Sequence, residues 1–118
     1  MAFLHKLSIL AALPALLSVA LVLPGIAVAD DTTAIKLVLK DHQFTPSEIH
    51  VPAGKPAILV IENADLTAEE FDSPALKAEK VIAPGQTGTI HLRPLAAGRY
   101  PFKGEFHEDT ANGVVVAE

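Results

Sequence analysis

From residue 34 onward the chain alternates between apolar and polar positions. In "AIKLVLK" (34–40) Ile35, Leu37 and Leu39 share one side and Lys36 and Lys40 the other, a period of two that predicts a half-buried strand. "EIHV" (48–51) follows "TPS" and stops at the turn "PAGK". "PAILVIE" (56–62) is a continuous apolar run, as expected of a fully buried strand, and closes at "NAD". "TIHLR" (89–93), "RYPFK" (99–103) and "GVVVA" (113–117) complete the series, separated by "PLAAG" and a polar loop. The segment "LTAEEFDSPALKAEKVI" has weaker periodicity; Phe71, Leu76, Val81 and Ile82 are its expected core anchors, around a short strand and a single helical turn. Short strands about ten residues apart, marked off by Gly and Pro, predict an antiparallel β-sandwich.

The first 29 residues follow another rule. Lys6 precedes the apolar run "LSILAALPALLSVALVLPGIAV", and Ala27-Val28-Ala29 forms a small-x-small cleavage box directly before Asp30. That pattern reads as a secretory signal peptide over 1–29 and a single domain over 30–118. An uncleaved membrane anchor is the alternative, because Leu7 to Ala29 approaches the length of a span.

Cleavage leaves 89 residues with eight basic side chains against 14 acidic ones, a balance of −6. This charge disfavours nucleic acid and anionic membrane as partners and suits cations or a basic protein. A domain this small buries about 60–65% of its unfolded surface, and exported domains often add disulfides for that reason. Here there is no cysteine. Phosphate loops, the strand-Ser-helix elbow and His-Glu-x-x-His are likewise missing from the sequence.

"FTPSEIHVPAGKPAILVIENAD" with "PGQTGTIHLRPLAAGRYPFKGEFH" and "ANGVVV" resembles the cupredoxins over essentially the whole exported part. The resemblance implies a Greek-key antiparallel β-sandwich of cupredoxin-like fold. It places Tyr100 and Phe102 on the family's two aromatic positions, Gly104 where its cysteine belongs, His107 on its histidine, Asn112 near the axial methionine, and Glu69 or Glu70 on the first histidine. A thiolate ligand defines blue copper, so a type 1 centre is excluded, and carboxylate with imidazole suits iron, manganese, zinc or Cu(II).

"TAEEFDSPALKAEKVIAPGQ" with "YPFKGEFHEDTANGVVV" further resembles the Cys-free cupredoxin-like domains of bacterial ferrous-iron uptake systems, both the Efe-type N-terminal domain and the Ftr-type stand-alone component. This likeness implies a periplasmic protein that binds Fe(II) or Cu(II) and aids iron oxidation, with an iron permease and a companion periplasmic metal-binding protein as partners. The alternatives are Cu(II) buffering or delivery, and a metal-free docking module.

The expected metal set is His107, Glu70 and Asp72, completed or tuned by Glu105, Glu79 and His42. Imidazole is the commonest metal ligand. Glu70 and Asp72, two apart in an extended segment, share a face while Phe71 turns to the core; Glu69 faces the other way. Glu105 neighbours the histidine and is placed to ligate or orient it. Local charge pairing with Lys77 and Lys80 also accounts for Glu79, and His42 lies at the expected metal end of the sandwich. His50 and His91 sit between apolar neighbours, so alternation turns both to solvent.

Overall fold

The computed structural model describes residues 11–25 and 32–118. Residues 11–25 form no helix or strand and are exposed. Lys6 and the cleavage box at 27–29 lie outside the described residues. No described helix is long and apolar enough to cross a membrane.

The described residues form nine strands: β1 (Thr33–Lys40), β2 (Gln43–Thr45), β3 (Glu48–Val51), β4 (Ala57–Asn63), β5 (Glu69–Ser73), β6 (Ala78–Ile82), β7 (Thr87–Leu92), β8 (Gly98–Gly104) and β9 (Asn112–Ala117). They make two sheets, one of order β2-β1-β4-β7 and one of order β3-β9-β8-β5-β6. The sandwich is the expected one. Two of its pairings, β1 with β4 and β3 with β9, are parallel, which is possible because both join strands far enough apart in sequence to need no tight hairpin.

The core is what alternation demands. Leu37, Leu39, Leu59, Ile61, Ile90 and Leu92 point in from the first sheet, and Ile49, Val51, Phe71, Ile82, Phe102 and Val115 from the second, all buried. Phe71 and Phe102 stack with centroids 5.0 Å apart, and Phe44 meets both edge-on, at 6.3 and 5.2 Å. Each such pair adds about 0.5–1.5 kcal/mol beyond its buried area. The trio has a positional effect too, since Phe44, Phe71 and Phe102 lie two residues from His42, Glu69 and Gly104 and tie those positions to the core.

Between residues 66 and 82 the structure departs from the expected strand and helical turn. The segment is a hairpin, β5 against β6, whose loop includes Lys77 at φ 54°. Ser73 Oγ accepts from Leu76 N (3.1 Å) and donates to Pro101 O (2.7 Å), closing the loop and burying Leu76. Val81 is not a core residue. It is opposite Glu70 in the ladder and, like it, faces out of the sandwich, with 57% of its surface exposed.

Candidate metal centre

Two imidazoles meet at one end of the sandwich. His107 closes a single 3₁₀ turn, Glu105–His107, directly after β8. His42 sits in the two-residue loop between β1 and β2, where Lys40 pairs with Gln43. The rings stack with centroids 3.5 Å apart and planes 13° from parallel.

Glu69 holds His107 in place. Its carboxylate is buried, at 1% exposure. Oε1 accepts from the backbone N–H of Phe106 (2.8 Å) and Glu70 (3.0 Å), and Oε2 lies 2.5 Å from His107 Nδ1. An ionised carboxylate only accepts, and with Glu69 in that form Nδ1 is the donor. In the neutral ring Nε2 would then keep the lone pair, the arrangement by which carboxylates orient metal-binding histidines.

Gly104 makes room for this carboxylate. A Cβ at 104 would lie 2.6 Å from Glu69 Cδ, 2.9 Å from Oε2 and 2.7 Å from Ala111 Cβ. The position that matches the family's cysteine therefore has no space for a side chain, because a carboxylate from the neighbouring strand fills it.

The other expected carboxylates stand elsewhere. β5 alternates buried and half-buried residues, with Glu69, Phe71 and Ser73 inward and Glu70 and Asp72 outward. Asp72 is opposite Glu79 on β6 and Lys103 on β8. The structure thus separates Glu70, Asp72 and Glu79 from the face on which His107 meets Glu69, whereas the sequence reading grouped Glu70 and Asp72 with His107. The physical reason is the strand period, which sends neighbours to opposite sides of the sheet. Glu105, exposed at the start of the 3₁₀ turn, adds its charge to the outer row. Desolvation, a side-chain hydrogen bond with Glu79, and the negative charges of Glu105, Glu79 and Asp72 together raise the Glu70 carboxyl above its ordinary value. Lys103 is raised chiefly by its hydrogen bond to Glu108, at 2.6 Å.

His50 and His91 are exposed, and His50 Nδ1 lies 2.7 Å from Glu118 Oε1. Glu69 was the residue that alternation alone could have found. It is two positions from core-facing Phe71, and an acid on a core face needs a partner.

Among the described residues, no three His, Asp or Glu side chains converge on one point as they stand. The stack explains why for the histidines. An ion bound to imidazole lies in the ring plane at about 2 Å from nitrogen, and two near-parallel rings stacked with centroids 3.5 Å apart share no such point. One ring must rotate for both to hold one ion, and His107 is the one pinned by Glu69. The donor set itself fits a borderline or hard ion: two imidazoles, adjacent carboxylates and no sulfur.

Residues 11–117 match the family described as a cupredoxin-like domain, and the chain belongs to that family. An uncharacterized protein of Rickettsia prowazekii (strain Madrid E) is 41% identical over 87 residues, which cover 74% of this chain and 70% of that one. The metal-binding domain of the Cu(I)-exporting P-type ATPase CopA of Streptococcus pneumoniae D39, determined with Cu(I), is similar with a TM-score of 0.65 at 17% identity, over 72% of this chain and 84% of that one. Auracyanin A, a "blue" copper protein of Chloroflexus aurantiacus, is similar with a TM-score of 0.63 at 16% identity, over 74% and 99%. At such identities the likeness is one of fold. These two neighbours are copper proteins, and with no cysteine this chain cannot hold a type 1 blue-copper centre.

Proposed function

We propose that the protein is exported to the periplasm and binds a divalent ion, Cu(II) foremost, at the His42–His107 end of the sandwich. The observation that carries this reading is the Glu69–His107 pair: a buried carboxylate fixes one imidazole with its second nitrogen turned away from the pair. His107 Nε2 and, after rotation, a His42 nitrogen would hold the ion. Bound there, the ion supplies a redox or delivery centre; the protein's own residues orient the imidazoles and set the charge around them. Nitrogen and oxygen donors favour Cu(II) over its divalent competitors, and the lack of thiolate or thioether disfavours Cu(I). The apolar run over 7–29 supports export, and N-terminal sequencing of the secreted protein should begin at Asp30.

A second reading is Fe(II) handling beside an iron permease and a companion periplasmic metal-binding protein. It is favoured by the outer row of Glu70, Asp72, Glu79 and Glu105: desolvation, the hydrogen bond with Glu79 and then the row's negative charges raise the Glu70 carboxyl, and a hard cation would relieve the crowding of those charges. Carboxylates favour Fe(III) over Fe(II), so such a site would ease iron oxidation.

Anaerobic calorimetric titration with Cu(II), Fe(II) and Mn(II) separates the readings. Cu(II) binding that is lost in His107→Ala and unchanged in Glu70→Ala supports the first. Fe(II) binding lost in Glu70→Ala supports the second. Failure of every ion to bind, or binding indifferent to all these changes, overturns both and leaves a docking module.

A further inference from the structure

His42 occupies a place where the backbone prefers glycine. The β1–β2 loop has two residues, Asp41 and His42, with φ of 51° and 57°. Positive φ at both positions is the mark of a type I′ hairpin turn, whose second residue is usually Gly. A side chain there meets the steric penalty of the left-handed region. Residues held in such conformations persist only where their surroundings over-determine them.

One carboxylate meets both amides of the turn. Asp65 Oδ1 accepts from the backbone N–H of Asp41 (2.7 Å), and Oδ2 from that of His42 (3.0 Å). Asp65 is itself held from below. Its N–H donates to Oδ1 of Asn63 (3.0 Å), and Asn63 Nδ2 donates to Thr67 O (2.9 Å) and Ile82 O (3.0 Å). Asn63 is fully buried and pairs with Leu39 at the end of the β1–β4 ladder. Ala64 N also donates to Leu39 O at 2.8 Å. Core and loop are thus joined by a continuous series of hydrogen bonds that ends on the residue stacked over His107.

We infer that Asp65 is a positioning residue of the metal centre: by binding both amides of the strained Asp41–His42 turn, it keeps the His42 backbone beside His107, so that turning the His42 ring alone brings the two imidazoles onto one ion. Gly is the residue such a turn ordinarily carries at this position; His42 stands there instead, where its ring meets His107, and Asp65 offsets the strain. This inference rests on the proposed metal reading for its purpose, but the clamp itself is independent of any ion.

The test uses protein produced from the full chain, with Asp65→Ala, the milder Asp65→Asn, His42→Gly, and Asp65→Ala combined with His42→Gly. The probe ion is Cu(II). Proton NMR of the metal-free protein reads the stack through the mutual ring-current shifts of the two histidines. Asp65→Ala should abolish those shifts and weaken Cu(II) binding about tenfold, as for other groups that orient a ligand. Asp65→Asn keeps one acceptor and should fall between. His42→Gly should raise Tm while weakening binding, and in that background Asp65→Ala should cause no further loss of affinity. Intact ring-current shifts and unchanged affinity in Asp65→Ala would overturn the inference, as would an equal loss of affinity in the His42→Gly background. Shifts lost in Asp65→Ala, in a protein that binds no Cu(II), would uphold the clamp and overturn the copper reading.

Discussion

Glu69 and Glu70 are chemically identical neighbours on one strand, and the two faces of β5 give them opposite roles. Glu69 points in, away from water, and its carboxyl oxygens meet the Phe106 and Glu70 amides and the His107 ring instead. Glu70 points out, beside Glu79, Asp72 and Glu105, where like charges crowd it. One carboxylate is a structural part that aims an imidazole. The other shares a hydrogen bond with Glu79 among acidic neighbours, which raise its carboxyl. A buried carboxylate is defined by what it cannot do without, an exposed one by what it can still take.

The largest effect should come from breaking the inner face. Glu69→Ala leaves the Phe106 amide and the His107 ring without their acceptor, and should cost about 3 kcal/mol in urea unfolding, the low end for breaking a buried pair. The low end applies because the His107 side chain keeps 24% exposure. Wild-type stability in Glu69→Ala would show that the pair is dispensable to the fold.

Gly104→Ala attacks the same carboxylate from the opposite strand. Contacts of 2.6 Å to Glu69 Cδ and 2.7 Å to Ala111 Cβ should cost about 2 kcal/mol, in the usual range for overpacking. In a Glu69→Ala background the cost should shrink without vanishing, since Ala111 remains. Strict additivity of the two changes would mean that Glu69 does not fill the position.

The smallest effect belongs to the outer face, and its sign is reversed. Because the Glu70 carboxyl is raised in the folded protein, its contribution to stability is fully present below the unfolded value and is lost as pH rises through the folded one. Glu70→Gln should therefore raise Tm slightly at neutral pH, and the gain should disappear below the ordinary carboxylate value of 4.5. Added salt should shrink it as well, by screening the row. A lower Tm at neutral pH in Glu70→Gln would show that Glu70 is paired rather than repelled.

Much of this was legible in the residues. The alternation in 34–40 and 89–93 and the apolar run in 56–62 anticipated β1, β7 and β4, because a strand with one buried face must repeat every two residues. The 66–82 segment is less legible in the sequence. Its core contacts at Phe71, Leu76 and Ile82 are too sparse to reveal a period, and the turn is closed by Ser73 through a bond to Pro101 on a different strand.

The candidate centre divides the same way. His107 and His42 were singled out by the resemblance to the cupredoxins, and the lack of cysteine ruled out blue copper before any coordinate. Composition and local pattern thus determined the sandwich, the export signature as an expectation, the acidic balance and the class of donor atoms. Tertiary structure decided which carboxylate meets which imidazole, that Glu69 fills the space at Gly104, and that Asp65 reaches back 24 residues to hold the turn at Asp41. These are contacts between strands and loops far apart in sequence. Local pattern reports which face a residue takes, whereas only the packing of the sheets determines what waits on that face.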